Sequence, residues 1–171
     1  MPTTHRAVIR RARHEDVPEI LGMVRDLAEY ERLPDEAVAT EEQLHIALFG
    51  QHPSVFAHVV AHESADGRHR LAGFALWFLN FSTWLGSNGL YLEDLYVRPE
   101  VRGEGYGKRL LSALAQECVK NGYSRFEWSV LDWNEPALGF YRSLGAVAMD
   151  EWTMHRVTGD DLSRLADEGD T

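Results

Sequence analysis

Residues 101–111 read VRGEGYGKRLL. Glycines alternate with other residues, and then Lys108 opens an apolar helical pattern. A glycine-rich turn feeding a helix offers an anion free backbone N–H groups and the positive end of the helix dipole, so the chemistry here is phosphate binding. Two familiar loops do not fit. The ATP-type loop G-x-x-x-x-G-K-[ST] requires glycine where Arg102 stands and a hydroxyl where Arg109 stands. The dinucleotide loop G-x-G-x-x-G would place its third glycine at Lys108 or at Leu110. What remains is R-x-x-G-x-G, spelled Arg102, Gly103, Glu104, Gly105, Tyr106, Gly107. Missing side chains let successive N–H groups approach two phosphates, and Lys108 or Arg109 adds positive charge at the rim.

Other chemistry is less favoured by the residues. His58 and His62 have the spacing of two metal ligands on a helix, but VFAHVVA reads as a strand. There they stand roughly 13 Å apart on one face, too far to share an ion, so no metal site is expected. Cys118 is the single cysteine, which excludes an intramolecular disulfide, and it falls on the apolar stripe of an expected helix. The formal charge of −10 argues against nucleic acid or an anionic membrane as partner and suits a cationic small molecule. The N-terminus MPTTHRAVIRRARHED has no apolar signal core, and no run approaches the roughly 20 apolar residues of a membrane span. A cytoplasmic location is expected.

The elements that must position these residues follow from periodicity. With 171 residues, 44% of them hydrophobic, the chain suits one globular domain. AVIRR (7–11) reads as a strand. Val17, Ile20, Leu21, Val24, Leu27 and Ala28 repeat at helical spacing, with Pro18 early enough to be tolerated. TEEQLHIALFG (40–50) carries helix start and stop signals. VFAHVVA (55–61), LAGFALWFLNF (71–81) and LYLEDLYV (90–97) read as strands, with a hairpin tip at Asp66-Gly67. A helix runs from Gly107 to about Asn121-Gly122. SRFEWSVL (124–131) is a strand, NEPALGFYRSLG a short helix, and AVAMD and EWTMHRV final strands. The polar exit, 165–171, is expected to fray. This order predicts a single α/β domain over 1–171, with strands 90–97 and 124–131 as parallel neighbours.

Six stretches in register resemble the Gcn5-related N-acetyltransferase (GNAT) superfamily. They are LAEYE (27–31), FGQHP (49–53), TWLG (83–86), LYLEDLYV (90–97), RGEGYG (102–107) and WNEPALGFYRSLGA (133–146). Within it, the chain is most similar to the diamine (spermidine/spermine) and thialysine acetyltransferases. The resemblance implies a mixed central sheet of six to seven strands with about four helices, acetyl-CoA as co-substrate, and a homodimer. It also implies direct acetyl transfer to a small primary amine in a ternary complex. Other amine acceptors, such as an aminoglycoside or a protein N-terminus, stay open. So does a non-catalytic acyl-CoA sensor, although a sensor has no need of the catalytic side chains that follow.

Such a transfer poses three problems. An amine with a lysine-like pKa of about 10.4 must shed a proton, the oxyanion needs donors, and the leaving thiolate needs an acid. The resemblance assigns the acid to Tyr141, a phenol that stays protonated near neutrality. It points to Glu93 as base, directly or through water, and cation binding is the alternative role for Glu93 and Asp94. Being adjacent, these two face opposite sides of a regular strand, and a bulge would re-aim one of them. The resemblance places the pantetheine arm along the backbone of Leu95, Tyr96 and Val97, with Asn134 and Pro136 beside it. Asn134 before Glu135-Pro136 also has the position of a helix N-cap. For the amine, Tyr30 and Glu31 match the family's substrate-side pair, and Trp84, Glu151 and Trp152 are further candidates, since carboxylates and aromatic faces suit an alkylammonium chain. The segment between Gly145 and Trp152 is shorter than the diamine pattern, so polyamine specificity does not follow.

Overall fold

The short β-rich runs pair into one sheet. The computed structural model describes residues 6–63 and 69–170. Among them, five strands lie in sequence order across the sheet: β1 (Arg6–Arg11), β2 (Phe56–Glu63), β3 (His69–Ser82), β4 (Ser87–Val97) and β5 (Phe126–Trp128). Neighbours are antiparallel except β4 and β5, which are parallel, as a crossover through a helix requires. The hairpin tip at Asp66-Gly67 lies outside the described residues. The chain divides into two compact units, Met1–Ser129 and Val130–Thr171.

The first unit holds the sheet with helices α1 (Val17–Tyr30), α2 (Glu41–Phe49) and α3 (Tyr106–Asn121). Alternation along β2 sorts the two faces. Ala57, Val59 and Ala61 are buried in one core with Val17, Ile20 and Met23 of α1 and Leu48 of α2. His58 and His62 take the other face, where they meet Glu117 and Tyr106 of α3. On α3 the stripe Leu110, Leu111, Leu114 and Cys118 is buried. Burial also pushes the Cys118 thiol pKa up, which suits packing rather than reactivity. Local signals set the helix ends. Thr40 and Gln43 close a capping box on α2, each side chain meeting the other's backbone N–H at 3.2 and 3.0 Å. Gly122, at φ 67°, ends α3.

In the second unit, α4 (Glu135–Ser143) begins at Asn134, whose side-chain oxygen accepts from Ala137 N at 3.4 Å. Two expectations change here. AVAMD (146–150) and EWTMHRV (151–157) form no strand, so the sheet has five strands rather than six to seven. Alternating residues permit a strand, but a strand exists only where a neighbouring backbone takes its hydrogen bonds; Val147, Met149, Trp152 and Met154 stay exposed. The described residues also hold five α-helices rather than about four. Residues Gly159–Asp167 form α5, a fifth helix, with Asp160 and Asp161 at its positive end and Arg164 paired with Asp161. The strand expected over 124–131 is likewise only Phe126–Trp128. No helix among the described residues is long and apolar enough to cross a membrane.

The end of α1 bears directly on the site. Leu33 N bonds Ala28 O at 2.9 Å and Arg32 N bonds Glu29 O at 3.0 Å, the paired bonds of a Schellman turn. The position that favours glycine is Arg32, at φ 65°, the single non-glycine residue with positive φ among those described. A side chain there costs about 1 kcal/mol relative to glycine, partly offset by glycine's greater freedom when unfolded. Arg32→Gly is therefore expected to stabilise the fold by about 0.5 kcal/mol. Urea denaturation of the two proteins measures it, and an equal or lower midpoint would contradict the strain at the end of α1.

Candidate active site

The register of β4 contains one extra residue. Trp77 of β3 faces Leu92 and Leu76 faces Asp94, so Glu93 has no partner on β3. On the other side, Leu92↔Trp128 is the last pair of β4 with β5. Glu93 therefore sits where β4 bulges from one neighbour and parts from the other. The bulge also switches faces. Before it, Leu90 and Leu92 share the face of Trp77, which carries α3. After it, Asp94 and Tyr96 face with Leu76 and Phe74, into the core beneath α1 and α2.

This switch gathers acids from separate elements. Glu93 is exposed, Asp94 is partly buried, and Glu31 follows the last turn of α1. Asp94 is pushed up to about 6 by burial first, then by the negative charges of Glu93 and Glu31. Burial alone raises the pKa of Glu31. Arg102 links this group to the glycine loop. Its Nε donates to Val97 O at 3.0 Å, and its guanidinium carbon lies 5.6 Å from the Tyr30 ring centre and 5.7 Å from that of Tyr96. Of the backbone groups expected to meet a pantetheine arm, the Val97 carbonyl is thus already engaged. Among the described residues, no strand pairs with the β5-side edge of β4 from Asp94 to Val97.

The loop itself leaves its backbone open. Gly103 and Gly105 adopt φ of 87° and 80°, open to glycine and strained for other residues. Gly105 is the N-cap of α3, with no side chain capping it and no acid in the first turn. The first intrahelical bond runs from Arg109 N to Gly105 O at 3.0 Å. The amides of Tyr106, Gly107 and Lys108 precede it and face out of the helix end. The Glu104 carboxylate beside the Tyr106 hydroxyl raises that phenol's pKa.

The structure thus brings together Tyr30, Glu31, Glu93, Asp94, Tyr96, Val97 and Arg102 within the first unit. Trp84 is 89% exposed in the β3–β4 turn, roughly 20 Å along β4 from Glu93, and does not join them. Asn134, Pro136, Tyr141, Glu151 and Trp152 belong to the second unit. Tyr141 is half-buried on α4 with its ring centre 5.4 Å from that of Phe140. Glu151 and Trp152 are exposed, and Asn134 caps its helix. The residue whose weight the sequence understated is Asp94. An acidic pair in an apolar strand was the visible signal, but the bulge decides which of the pair is turned inward. No group of three or more His, Cys, Asp or Glu able to hold a metal occurs among the described residues.

Residues 7–146 match the sequence model of the acetyltransferase (GNAT) family. A thialysine N-epsilon-acetyltransferase of Sus scrofa is 38% identical over 165 residues, 93% of this chain and 96% of that protein. An L-ornithine N5-acetyltransferase of Arabidopsis thaliana is 34% identical over 206 residues, 96% of this chain and 90% of that protein. Among solved structures, an integron cassette protein from the mobile metagenome of V. cholerae aligns with TM-score 0.76 and 28% identity, covering 94% of this chain and 97% of that one.

The raised pKa of Asp94 has a stability consequence. Its folded value of about 6 exceeds the ordinary 3.8, so the native state holds the proton more tightly than the unfolded chain. Stability is undiminished below the ordinary value, and the penalty grows as pH rises through both values. Asp94→Asn is expected to stabilise the fold by about 1–2 kcal/mol near pH 8 and progressively less toward pH 4. Denaturation curves at several pH values test the trend, and a gain that does not depend on pH would remove the burial argument.

Proposed function

Since the chain belongs to the GNAT acetyltransferase family and is an N-acetyltransferase, we propose that it moves acetyl from acetyl-CoA to a primary amine of a small, multiply charged acceptor. A thialysine-like or ornithine-like amino acid, a diamine or a polyamine fits this description. The observation that carries the reading is the convergence of Glu31, Glu93 and Asp94 on the β4 bulge, beside the aromatic Tyr30. A cationic acceptor offsets the charge repulsion that these carboxylates feel. Two relatives named for thialysine and ornithine add support, because both of those amino acids carry a second amine.

The residues fit the acyl donor. Gly103 and Gly105 free the loop backbone, the uncapped start of α3 receives negative charge, and Lys108 adds a cation at the rim. The strand edge at Leu95, Tyr96 and Val97 meets the pantetheine arm, with Asn134 and Pro136 as further contacts. Bound acetyl-CoA supplies an activated thioester carbonyl.

This chain's own residues then handle protons. Asp94, near pKa 6, is a stronger base than an ordinary carboxylate by about two pKa units, and it relays the amine proton outward through Glu93. The pair shortens the gap to the ammonium pKa of about 10.4 and leaves the rest to water. Tyr141 gives its phenolic proton to the departing sulfur, by its match to the family's helix. The amine attacks directly while both substrates are bound.

A panel of amines assayed for free thiol release tests the acceptor. Diamino acids, diamines and polyamines are expected to outpace monoamines, and Glu31→Gln is expected to raise KM for a dication about tenfold while changing a monocation little. Equal changes for both would detach Glu31 from the acceptor, and no turnover with any amine would defeat the reading. Tyr141→Phe is expected to lower kcat about 100-fold with little change in CoA affinity. An unchanged kcat would remove Tyr141 as the acid.

A further inference from the structure

A second polar site lies on the opposite side of the sheet from the carboxylates. A cleft of about 500 Å³ separates β1 from one flank of α3. Its walls include Arg11, His58, Arg109, Ser112, Glu117 and Lys120. With Ala113 and Gln116, the helix residues recur at three- and four-residue steps, so one stripe of α3 faces the cleft, while the apolar stripe at Leu110, Leu111 and Leu114 packs elsewhere. Arg109 and Lys120 stand about 16 Å apart along the helix, one toward each end. Arg109 also donates to the Ala7 carbonyl of β1 at 3.1 Å.

The floor is His58, only 6% exposed at a position where sheet alternation would accept an apolar residue. Trp77 Nε1 donates to His58 Nδ1 at 3.2 Å. Indole N–H can only donate, so the neutral ring carries its proton on Nε2. Burial, then the Arg11 charge, lower the His58 pKa to about 4, with Glu117 opposing, so this tautomer holds at neutral pH. Nε2 lies 3.8 Å from Glu117 Oε1, beyond hydrogen-bond length. Arg11 is the cross-strand partner of His58. Its guanidinium lies over the Trp77 ring at 4.8 Å and pairs with the other Glu117 oxygen at 3.0 Å. Arg10 also lines the cleft, but its guanidinium is bound by both oxygens of Asp16.

A buried N–H donor, a stacked guanidinium and two flanking cations on a chain of net charge −10 make a site for negative charge. The lone acid, Glu117, occupies it from within, as a carboxylate resting on Arg11. We propose that the cleft between β1 and α3 binds a small phosphate-type oxyanion, which takes the donors of Arg11 and His58 in place of the Glu117 carboxylate. The site lies along the flank of α3, meets the helix that follows the glycine loop only at Arg109, and is distinct from acetyl transfer. Bound phosphate and the Arg11–Glu117 pair exclude one another, so the ligand would loosen β1 from α3.

The test uses the full chain with labelled tryptophan indole and histidine rings, saturated with CoA so that the glycine loop is occupied. Sodium phosphate is titrated at constant ionic strength against sodium chloride, and AMP in a parallel arm. The expected result is a saturating NMR shift at Trp77 and His58 with phosphate and none with chloride. Tighter binding of AMP would assign the phosphate to a larger organic ligand, and equal or weaker binding to the free ion. Glu117→Gln is expected to tighten phosphate about tenfold and Lys120→Gln to weaken it about tenfold. Shifts shared with chloride, or an affinity unmoved by Glu117→Gln, would overturn the proposal. So would movement of Trp77 by CoA alone, which would make the cleft part of the donor site. Lys120→Gln changes only an exposed side chain, so the comparison survives if Glu117→Gln folds poorly.

Discussion

One extra residue in β4 governs the first unit. A regular strand would keep Leu90, Leu92, Asp94 and Tyr96 on a single face. Glu93 breaks that parity at the place where β4 loses β5 as a neighbour. Leu92 then packs toward α3, while Asp94 and Tyr96 turn toward α1. Tyr96 is absorbed into the main core, and Asp94 is brought within the electrostatic reach of Glu31. An acid carried into the edge of an apolar core has a raised pKa, which is a cost to the fold above that pKa.

Opposite charge environments share the same strand end. Three carboxylates gather on the α1 side, while the loop after β4 offers positive φ glycines and an uncapped helix start. Arg102 belongs to both, since its guanidinium sits by Tyr30 and Tyr96 and its Nε holds the Val97 carbonyl. The end of α1 and the glycine loop are in this way tied to one strand by a single cation. The positive φ of Arg32 sits at the same helix end, a local strain next to the residues it helps to place.

The far face of the sheet uses polar residues differently. His58, Trp77, Arg11 and Glu117 form a chain of contacts between β1, β2, β3 and α3. Each member fixes the state of the next. Trp77 selects the histidine tautomer, and the cation and the buried setting keep that ring neutral. The histidine pair that has helix-like metal spacing in sequence is thus divided between two structural jobs, His58 beneath Trp77 and His62 against Tyr106.

Much of this was legible in the amino-acid order. The glycine loop, the helix caps at Thr40 and Gly122, the parallel crossover and the acidic pair are local patterns whose physical meaning needs few neighbours. So is the open backbone of the glycine loop, because positive φ and missing side chains are properties of glycine itself. The strand count was not legible. Residues 146–157 alternate as a strand would, yet pairing depends on a partner that sequence does not display, and α5 lies outside the helices that periodicity marked. Nor could the sequence decide between Glu93 and Asp94. That choice rests on register, and register is settled by how β3, β4 and β5 pack together, one residue at a time.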